Sequence, residues 1–520
     1  MEKDLEIELK LALPPKHGTR IRQHPALVGI KPARQELHSI YFDTPEFELM
    51  RRGIALRVRR VGFHWVQTIK AEVRAIGALS SRSEWEMSVA GGSHPDFAVL
   101  PKIALDLLAG VDLKRIAPTF ITQFHRITWQ IEQQGNRAEL ALDSGDIKAG
   151  EVSQPISEIE LELKAGSADF LFGLAAQFLD QPGLHIEPRS KAQRGYALCG
   201  AITPAPIKAL RPDVGPHQSA GEAWAAVMHA ALTQMVANVP GTLDALQSES
   251  DDGIEYLHQL RIGLRRLRVG VTLAKAFGQP APAWTPVMSE TMRALNPARD
   301  WDVFLHETLP KLRTAESSAM LAAPQVEVTL EQAMLKQLHA ATCTAHQQAR
   351  TQLFSPAFTQ LVLDIGRDLL TEHETVTDAT DVRAEEASVW ANEWASKILE
   401  KRWRTLRKRC RNFARLNPAE RHMARIAAKK MRYAADALAP LYGKRGERFI
   451  EALSTLQNGL GKANDAHVGA LLLDALPKKS APLSFQLGKL AGALETDVRR
   501  DAQLSGAIWR RLAQSRLFWR

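Results

Sequence analysis

Asp4-Leu5-Glu6-Ile7-Glu8-Leu9-Lys10-Leu11 is the stretch that decides the first half of this chain. Asp4, Glu6, Glu8 and Lys10 alternate with Leu5, Ile7, Leu9 and Leu11. Successive side chains of a strand point to opposite faces, so this pattern reads as a β-strand with one apolar and one charged face. One such strand is ordinary, because a solvated sheet face has the same pattern. The same grammar returns at Glu158-Ile159-Glu160-Leu161-Glu162-Leu163-Lys164. Two strands that line up carboxylates and end in a lysine point to acids turned inward, toward a shared polyvalent ligand.

Working outward, further short alternating runs lie between these two. SIYFDTP (39–45) is a strand ending in a turn, and GIALRVRRVG sets Arg57 and Arg59 opposite Leu56 and Val58. HWVQTIKAEV places Lys70 two residues after Thr68, and RSEWEMSV sets Arg82, Glu84 and Glu86 in register. TQFHRITWQIE carries Arg126, and AELALDSGDIKAG carries Glu139 and Asp143 before an expected Ser144-Gly145 turn. Turn residues between such runs predict antiparallel β structure, interrupted by helical segments around 96–108 and 168–179. In a closed barrel, inward and outward residues alternate along every strand, so these charges would share one lumen. Such a lumen is costly unless filled. A divalent cation would neutralise the carboxylates, and a phosphate chain the lysines and arginines. Carboxylate-rich sites suit Mg²⁺ or Mn²⁺. No GxxxxGK[ST] loop occurs, which argues against a P-loop NTPase.

The 520 residues are enough for two or three domains, and 45% apolar with 24% charged residues is the composition of a globular protein. Cys199, Cys343 and Cys410 stand far apart, without the spacing of a zinc site or a disulfide framework. The opening MEKDLEIELK lacks the apolar run of a signal peptide, and no long uncharged apolar run follows, so the expected location is cytoplasmic, with no membrane partner. Net charge is +9, which favours an anionic partner. Pro204, Pro206, Pro212 and Pro216 predict a linker over 201–220, dividing a β-rich domain (1–200) from an α-rich one (221–515).

The helical half contains a repeat. His258 is followed by Arg261, Arg265, Arg266 and Arg268; His422 is followed by Arg425, Lys429, Lys430 and Arg432, at the same spacings. On a helix the first, second, third and last positions of each set fall within about 80° of arc. Arg299-Asp300 and Asn464-Asp465 follow at matching distances and read most simply as helix caps. Matched landmarks predict two similar bundles related by a pseudo-twofold. Residues 401–432 hold thirteen Lys or Arg and one acid, Glu420. Uncompensated like charge on folded helices points to a polyanion. Trp403 and Phe413 are the only aromatics in that run, which argues against single-stranded nucleic acid.

Taken together, the ExExK opening, YFDT, LRVR, TIK, the arginine of FHRITW, LDSGDIKAGE, IELELK and SKAQRGY resemble the CYTH family of triphosphate tunnel metalloenzymes. The resemblance implies an α+β protein whose N-terminal part is an eight-stranded antiparallel tunnel that hydrolyses a bound triphosphate with Mg²⁺ or Mn²⁺. It implies Glu6, Glu8, Asp143, Glu160 and Glu162 as metal-side acids. Lys10, Arg57, Arg59, Lys70, Arg126, Lys191 and Arg194 would grip phosphates, and Glu6, Glu8, Lys10, Lys70 and Glu160 form the catalytic set. Residues 220–510 resemble a CHAD domain, an all-α module of two pseudo-symmetric bundles, which implies polyphosphate binding through the two histidine-led helix faces. Residues 315–331 depart from that pattern as an irregular connection. The combined expectation is an inorganic triphosphatase. A class IV adenylate cyclase or thiamine triphosphatase stays open, as does a non-catalytic polyphosphate receptor, although no aromatic region for a base or thiazole ring stands out.

Overall fold

A computed structural model describes residues 4–90, 92–215, 217–248, 253–311, 325–375, 389–477, 488–490, 492 and 506–520. The chain forms two compact units: Met1–Ile207 with Leu232–Gly241 and Leu353–Thr371, and Lys208–Ala231 with Thr242–Gln352 and Glu372–Arg520.

In the first unit the strands are β1 (Asp4–Ala12), β2 (Ala33–Asp43), β3 (Ile54–Val61), β4 (His64–Ile76), β5 (Leu79–Val89), β6 (Ala117–Gln133), β7 (Asn136–Ala149), β8 (Val152–Ala165) and the short β9 (His185–Ile186). They hydrogen-bond in the order β5-β4-β3-β2-β6-β7-β8-β1-β9, and β1 also pairs with β5. That extra pairing closes an antiparallel barrel of eight strands, β1 to β8.

The barrel turns its apolar residues outward. Leu56, Val58 and Ile69 are buried with Phe42, Leu49, Leu100, Ala104 and Leu108, the last two from the segment around the helix Lys102–Leu107. Elsewhere on the wall Leu9, Leu11, Ile159 and Leu161 are buried, and the helix Asp169–Gln177 packs on β1 and β8 through its buried face of Leu171, Phe172, Leu174 and Ala175. With one face of each strand claimed by these contacts, period two sends the charged face into the lumen.

The expected Ser144-Gly145 turn is absent: both residues lie inside β7, opposite His125 and Phe124. Gly145 is there for close approach, since a Cβ would stand 2.2 Å from the Gln123 carbonyl oxygen. The tight turns lie instead at Gln134-Gly135 and Gly150, all with positive φ. Two segments from the helical half of the sequence complete this unit. A Cβ on Gly77 (φ +62°) would lie 3.3 Å from Leu232 Cδ2, and the Thr359 hydroxyl donates to the Leu184 carbonyl.

In the second unit the helix Gly253–Ala274 carries the first histidine motif and Pro418–Leu438 the second. These two pack on one another, and Asn296–Val303 packs on Glu447–Asp474. In these two pairs an element meets its counterpart from the other half. Asn417 and Glu420 form a capping box and Pro418 opens the helix, so the sole acid of the 401–432 run is spent on a helix end. Arg299-Asp300 is not a cap, because Asn296-Pro297 opens that helix earlier. Asn464-Asp465 likewise lies inside a helix; its side chains, and residues 315–324 of the expected irregular connection, fall outside the described residues. No described helix is long and apolar enough to cross a membrane.

Candidate functional site

The lumen encloses a cavity of about 580 Å³. Ten residues singled out from the sequence line it: Glu6, Glu8, Lys10, Arg57, Arg59, Lys70, Arg126, Glu160, Glu162 and Lys191. Strand register brings them together. Glu8 faces Glu162 and Lys10 faces Glu160 across β1 and β8, Lys70 faces Glu84 across β4 and β5, and Arg126 faces Asp143 across β6 and β7. Directly opposite residues have Cβ atoms about 5 Å apart, so their charges interact.

Lys191 comes from the loop–helix junction that follows the barrel. The Ser190 hydroxyl accepts from the Gln193 N–H while the Gln193 side-chain oxygen accepts from the Ser190 N–H, a capping box that starts the helix Lys191–Leu198. Gly195 allows that helix to seat, since a Cβ there would stand 2.1 Å from the Phe120 ring. The SKAQRGY motif is therefore mostly a mounting for one ammonium. Asp43 of YFDT has a similar structural role: its buried carboxylate accepts from the N–H groups of Thr44, Leu49 and Met50, closing the loop into the helix Glu48–Arg51.

Most cations in the lumen are matched. The Lys70 Nζ lies 2.6 Å from Glu6 and 3.1 Å from Glu84, Arg82 lies 3.3 Å from Glu8, and Arg57 lies 3.5 Å from Glu84 and Glu86. At the deep side the Lys191 ammonium contacts Asp143 and Glu160 at 2.7 and 2.8 Å and also Glu158, while Arg126 binds both Asp143 and Glu160. Burial alone would raise the Glu160 pKa; Lys191 and Arg126 override it and hold the carboxyl well below the usual range. The same acids outweigh burial at Lys191 and raise its pKa.

Arg59 breaks the pattern. Its Nε donates to the Ser39 hydroxyl at 2.9 Å, and it has no carboxylate partner among the described residues. Burial, then repulsion from Arg57 and Arg126, pushes its pKa down to about 9. Burial also lowers the Lys10 pKa against the pull of Glu158 and Glu8; its ammonium donates to the Arg189 carbonyl.

Two expected site residues do not reach the cavity. Asp143 is fully buried behind Arg126 and Lys191, and Arg194 is buried in an ion pair with Glu158 at 2.6 Å. Arg194 thus holds an acid where it was expected to grip phosphate. Glu158 was not among the expected acids although it shares the alternation of Glu160 and Glu162; with Asp143 and Glu160 it forms a group of three carboxylates whose oxygens lie within 4.8 Å of one another. Glu6, Glu8 and Glu162 form a second acidic side at β1 and β8. Burial raises the Glu162 pKa and Glu6 adds to the rise, although Lys164 lies 2.5 Å away. Lys164 and Arg82 also line the cavity, and Tyr41, Met50, Ile54, Tyr196 and Ile202 give it a partly apolar wall with two aromatic rings that the linear sequence did not reveal.

On the helical unit, His258, Arg261 and Arg265 share the expected face. Burial, then Arg299, lowers the His258 pKa to about 4, with Arg265 and Arg261 contributing. Burial and Arg265 bring Arg261 to about 10, and its guanidinium donates to the Asn296 side chain. In the second half, Arg425, Lys429 and Arg432 are half-buried, and His422 is exposed. Arg268 and Lys430 are exposed too, whereas Arg266 turns away and donates to the Leu210 carbonyl.

A closed antiparallel barrel lined by paired acids and bases, with Arg59 lacking a carboxylate partner among the described residues, defines a tunnel of mixed charge. Residues 4–196 match the CYTH domain family and residues 226–474 the CHAD domain family, so the chain carries a CYTH domain followed by a CHAD domain. A curated relative, the inorganic triphosphatase of Haemophilus influenzae, is 34% identical over 194 residues, 37% of this chain and 54% of that protein. The chain thus spans about half the length of that relative. The crystal structure of the CHAD domain from the plant Ricinus communis is 26% identical with a TM-score of 0.50, covering 60% of this chain and 98% of that one.

Proposed function

We propose that the barrel hydrolyses inorganic triphosphate to pyrophosphate and phosphate with a divalent cation. Arg59 carries this reading. A half-buried guanidinium beside two others, with no carboxylate partner among the described residues, is unfavourable until an anion arrives. Arginine forks suit phosphate oxygens in bidentate fashion, so Arg57, Arg59 and Arg126 would grip the chain with Lys10. The likeness to the Haemophilus influenzae inorganic triphosphatase supports the same substrate.

The donor chemistry fits Mg²⁺ or Mn²⁺: both acidic sides offer hard carboxylate oxygens, Asp143, Glu158 and Glu160 on one and Glu6, Glu8 and Glu162 on the other. Glu6, Glu8 and Glu162 would hold a cation at one side, and Asp143 and Glu160 with Glu158 at the other. Such an ion draws charge from phosphate oxygens and lowers the pKa of a water it binds. Lys191 would stay between Asp143 and Glu160 to fix their orientation, while Arg59 and Lys10 stabilise charge on the departing pyrophosphate.

Tyr41 and Tyr196 in the lining favour a second reading, an organic triphosphate whose ring rests on that wall. Phosphate release from inorganic triphosphate, ATP and thiamine triphosphate, with and without Mg²⁺ or Mn²⁺, separates the two. Inorganic triphosphate is expected to turn over fastest and only with metal. Faster release from either organic substrate would replace the first reading with the second, and no release from any would leave a binding protein.

The helical unit would bind polyphosphate, supported by the gathering of Arg261, Arg265 and Arg299 around His258, which adds to burial in lowering its pKa. Counterion release makes such binding weaken steeply with salt. Neutralising Arg261, Arg265, Arg425 and Lys429 together should weaken binding of long chains and flatten the salt dependence; no loss, or equal preference for duplex DNA, would reject it.

A further inference from the structure

Two basic stretches meet at a place that neither the tunnel nor the histidine-led helices explain. One is the end of the helix Ala391–Arg409, which carries Lys401, Arg402, Arg404, Arg407, Lys408 and Arg409. The other is 506–520, beyond the part of the chain that matches the CHAD family, with four arginines and no acid. They enclose a pocket of about 510 Å³ lined by Arg407, Arg516 and Arg520 together with Trp403, Ser515 and Leu517.

Its floor is rigid. Trp403 is buried at 5.6 Å from Phe449, 5.9 Å from Trp509 and 6.4 Å from Trp519 (ring centroids), and Phe518 packs edge-on against Phe449 and Trp519. The indole faces are thus used up within the cluster, so recognition falls to the arginines. Glu400 fixes one of them: both its oxygens accept from Arg520, at 2.9 and 3.0 Å, and it also accepts from Arg404 and the Trp519 N–H. Arg520, more than burial opposes, holds the Glu400 carboxyl down at about 2, so it stays ionised. Arg407 and Arg516 have no carboxylate side-chain partner among the described residues, and no Asp or Glu side chain lines the pocket.

We infer that this pocket is a second anion site, which takes a phosphoryl dianion: free orthophosphate or the end of pyrophosphate. The charge supports that class. Counting Arg520 against Glu400 leaves Arg407 and Arg516 uncompensated, and a phosphoryl group carries about −1.5 to −2 at neutral pH. Two arginine forks offer bidentate donors to such a group, where a lysine would offer a point charge. The site does not depend on what the barrel catalyses.

Arginine modification of the full chain by phenylglyoxal, read residue by residue by mass spectrometry, tests it. Orthophosphate and pyrophosphate are added at constant ionic strength, balanced with chloride. Arg407 and Arg516 should be protected about tenfold, the effect of one charge-assisted contact set, while Arg409 and Arg411, equally exposed but outside the pocket, are not. Protection by pyrophosphate alone would identify the condensed anion as the ligand, and by both, the phosphoryl group. Arg407→Ala with Arg516→Ala should remove one equivalent of bound phosphate in equilibrium dialysis and leave triphosphate turnover unchanged, and Arg516→Lys should restore binding only in part. Equal protection of Arg409 and Arg411 would reduce the pocket to diffuse attraction, and unchanged stoichiometry in the double variant would overturn it.

Discussion

The barrel and the histidine-led helices both gather positive charge, but they manage it in opposite ways. In the barrel the cations are enclosed in the lumen and nearly all matched, with Lys191 touching three carboxylates and Lys70 two. On the helices most are half-buried or exposed, Arg261 being buried, and among the described residues no acid partner is seen for Arg265 or Arg268, although Arg432 lies 3.8 Å from Asp436. Buried matched pairs resist salt and hold side chains in fixed positions, which suits a site that must orient one short substrate. Exposed unmatched charge gives up geometry and keeps a long-range field, which suits a flexible chain of variable length.

The sharpest way to break this comparison is to remove a shared acid from the barrel. Glu160→Ala leaves Lys191 and Arg126 each short of one partner. Turnover should fall about 10–100-fold or more, the loss expected when a carboxylate that holds or orients the cation is removed. Stability in denaturant should also fall, by about 1–3 kcal/mol, because each cation loses one charge-assisted contact while keeping Asp143. Glu8→Ala, whose carboxylate lies 3.3 Å from Arg82 and accepts from the Ser80 hydroxyl, should lose activity at a smaller cost in stability. Near wild-type turnover in both would remove the proposed site.

Arg59 should respond with opposite signs in the two measurements. Arg59→Met removes an unmatched half-buried charge, so thermal stability should hold or rise while kcat/KM falls about 10–100-fold, the worth of a hydrogen bond to a charged group. Arg57→Met, which strips partners from Glu84 and Glu86, should lower both. The unfolded chain keeps the Arg59 proton to a far higher pH than the folded one. Wild type should therefore gain stability relative to Arg59→Met as pH rises through about 9. A destabilised Arg59→Met would show that the guanidinium is already satisfied.

A smaller effect distinguishes the helical face. His258 titrates near 4 when folded against 6.5 ordinarily, so between those values the unfolded state binds more protons. Wild type should lose stability relative to His258→Gln as pH falls from 6.5 to 4. Polyphosphate that neutralises Arg261, Arg265 and Arg299 should move the His258 pKa upward, visible in its imidazole NMR resonances. An unmoved resonance at saturating polyphosphate would place the anion elsewhere.

Much of this was legible before any coordinates. Alternation in DLEIELKL and EIELELK is a property of one strand at a time, so the sequence determined which residues turn inward from Glu6 to Glu162. The repeated register of His258 and His422 is equally local, three or four residues per helical turn. What no single stretch carries is which inward residue meets which. That depends on inter-strand register and on the β1–β5 closure, which brings Glu6 opposite Arg82. Only the tertiary structure therefore decided that Arg194 binds Glu158, that Asp143 sits in mid-strand, and that Arg266 turns to the Leu210 carbonyl. It alone left Arg59 without a carboxylate, because an ion pair depends on distances that fall between strands, whereas a pattern depends on positions along one.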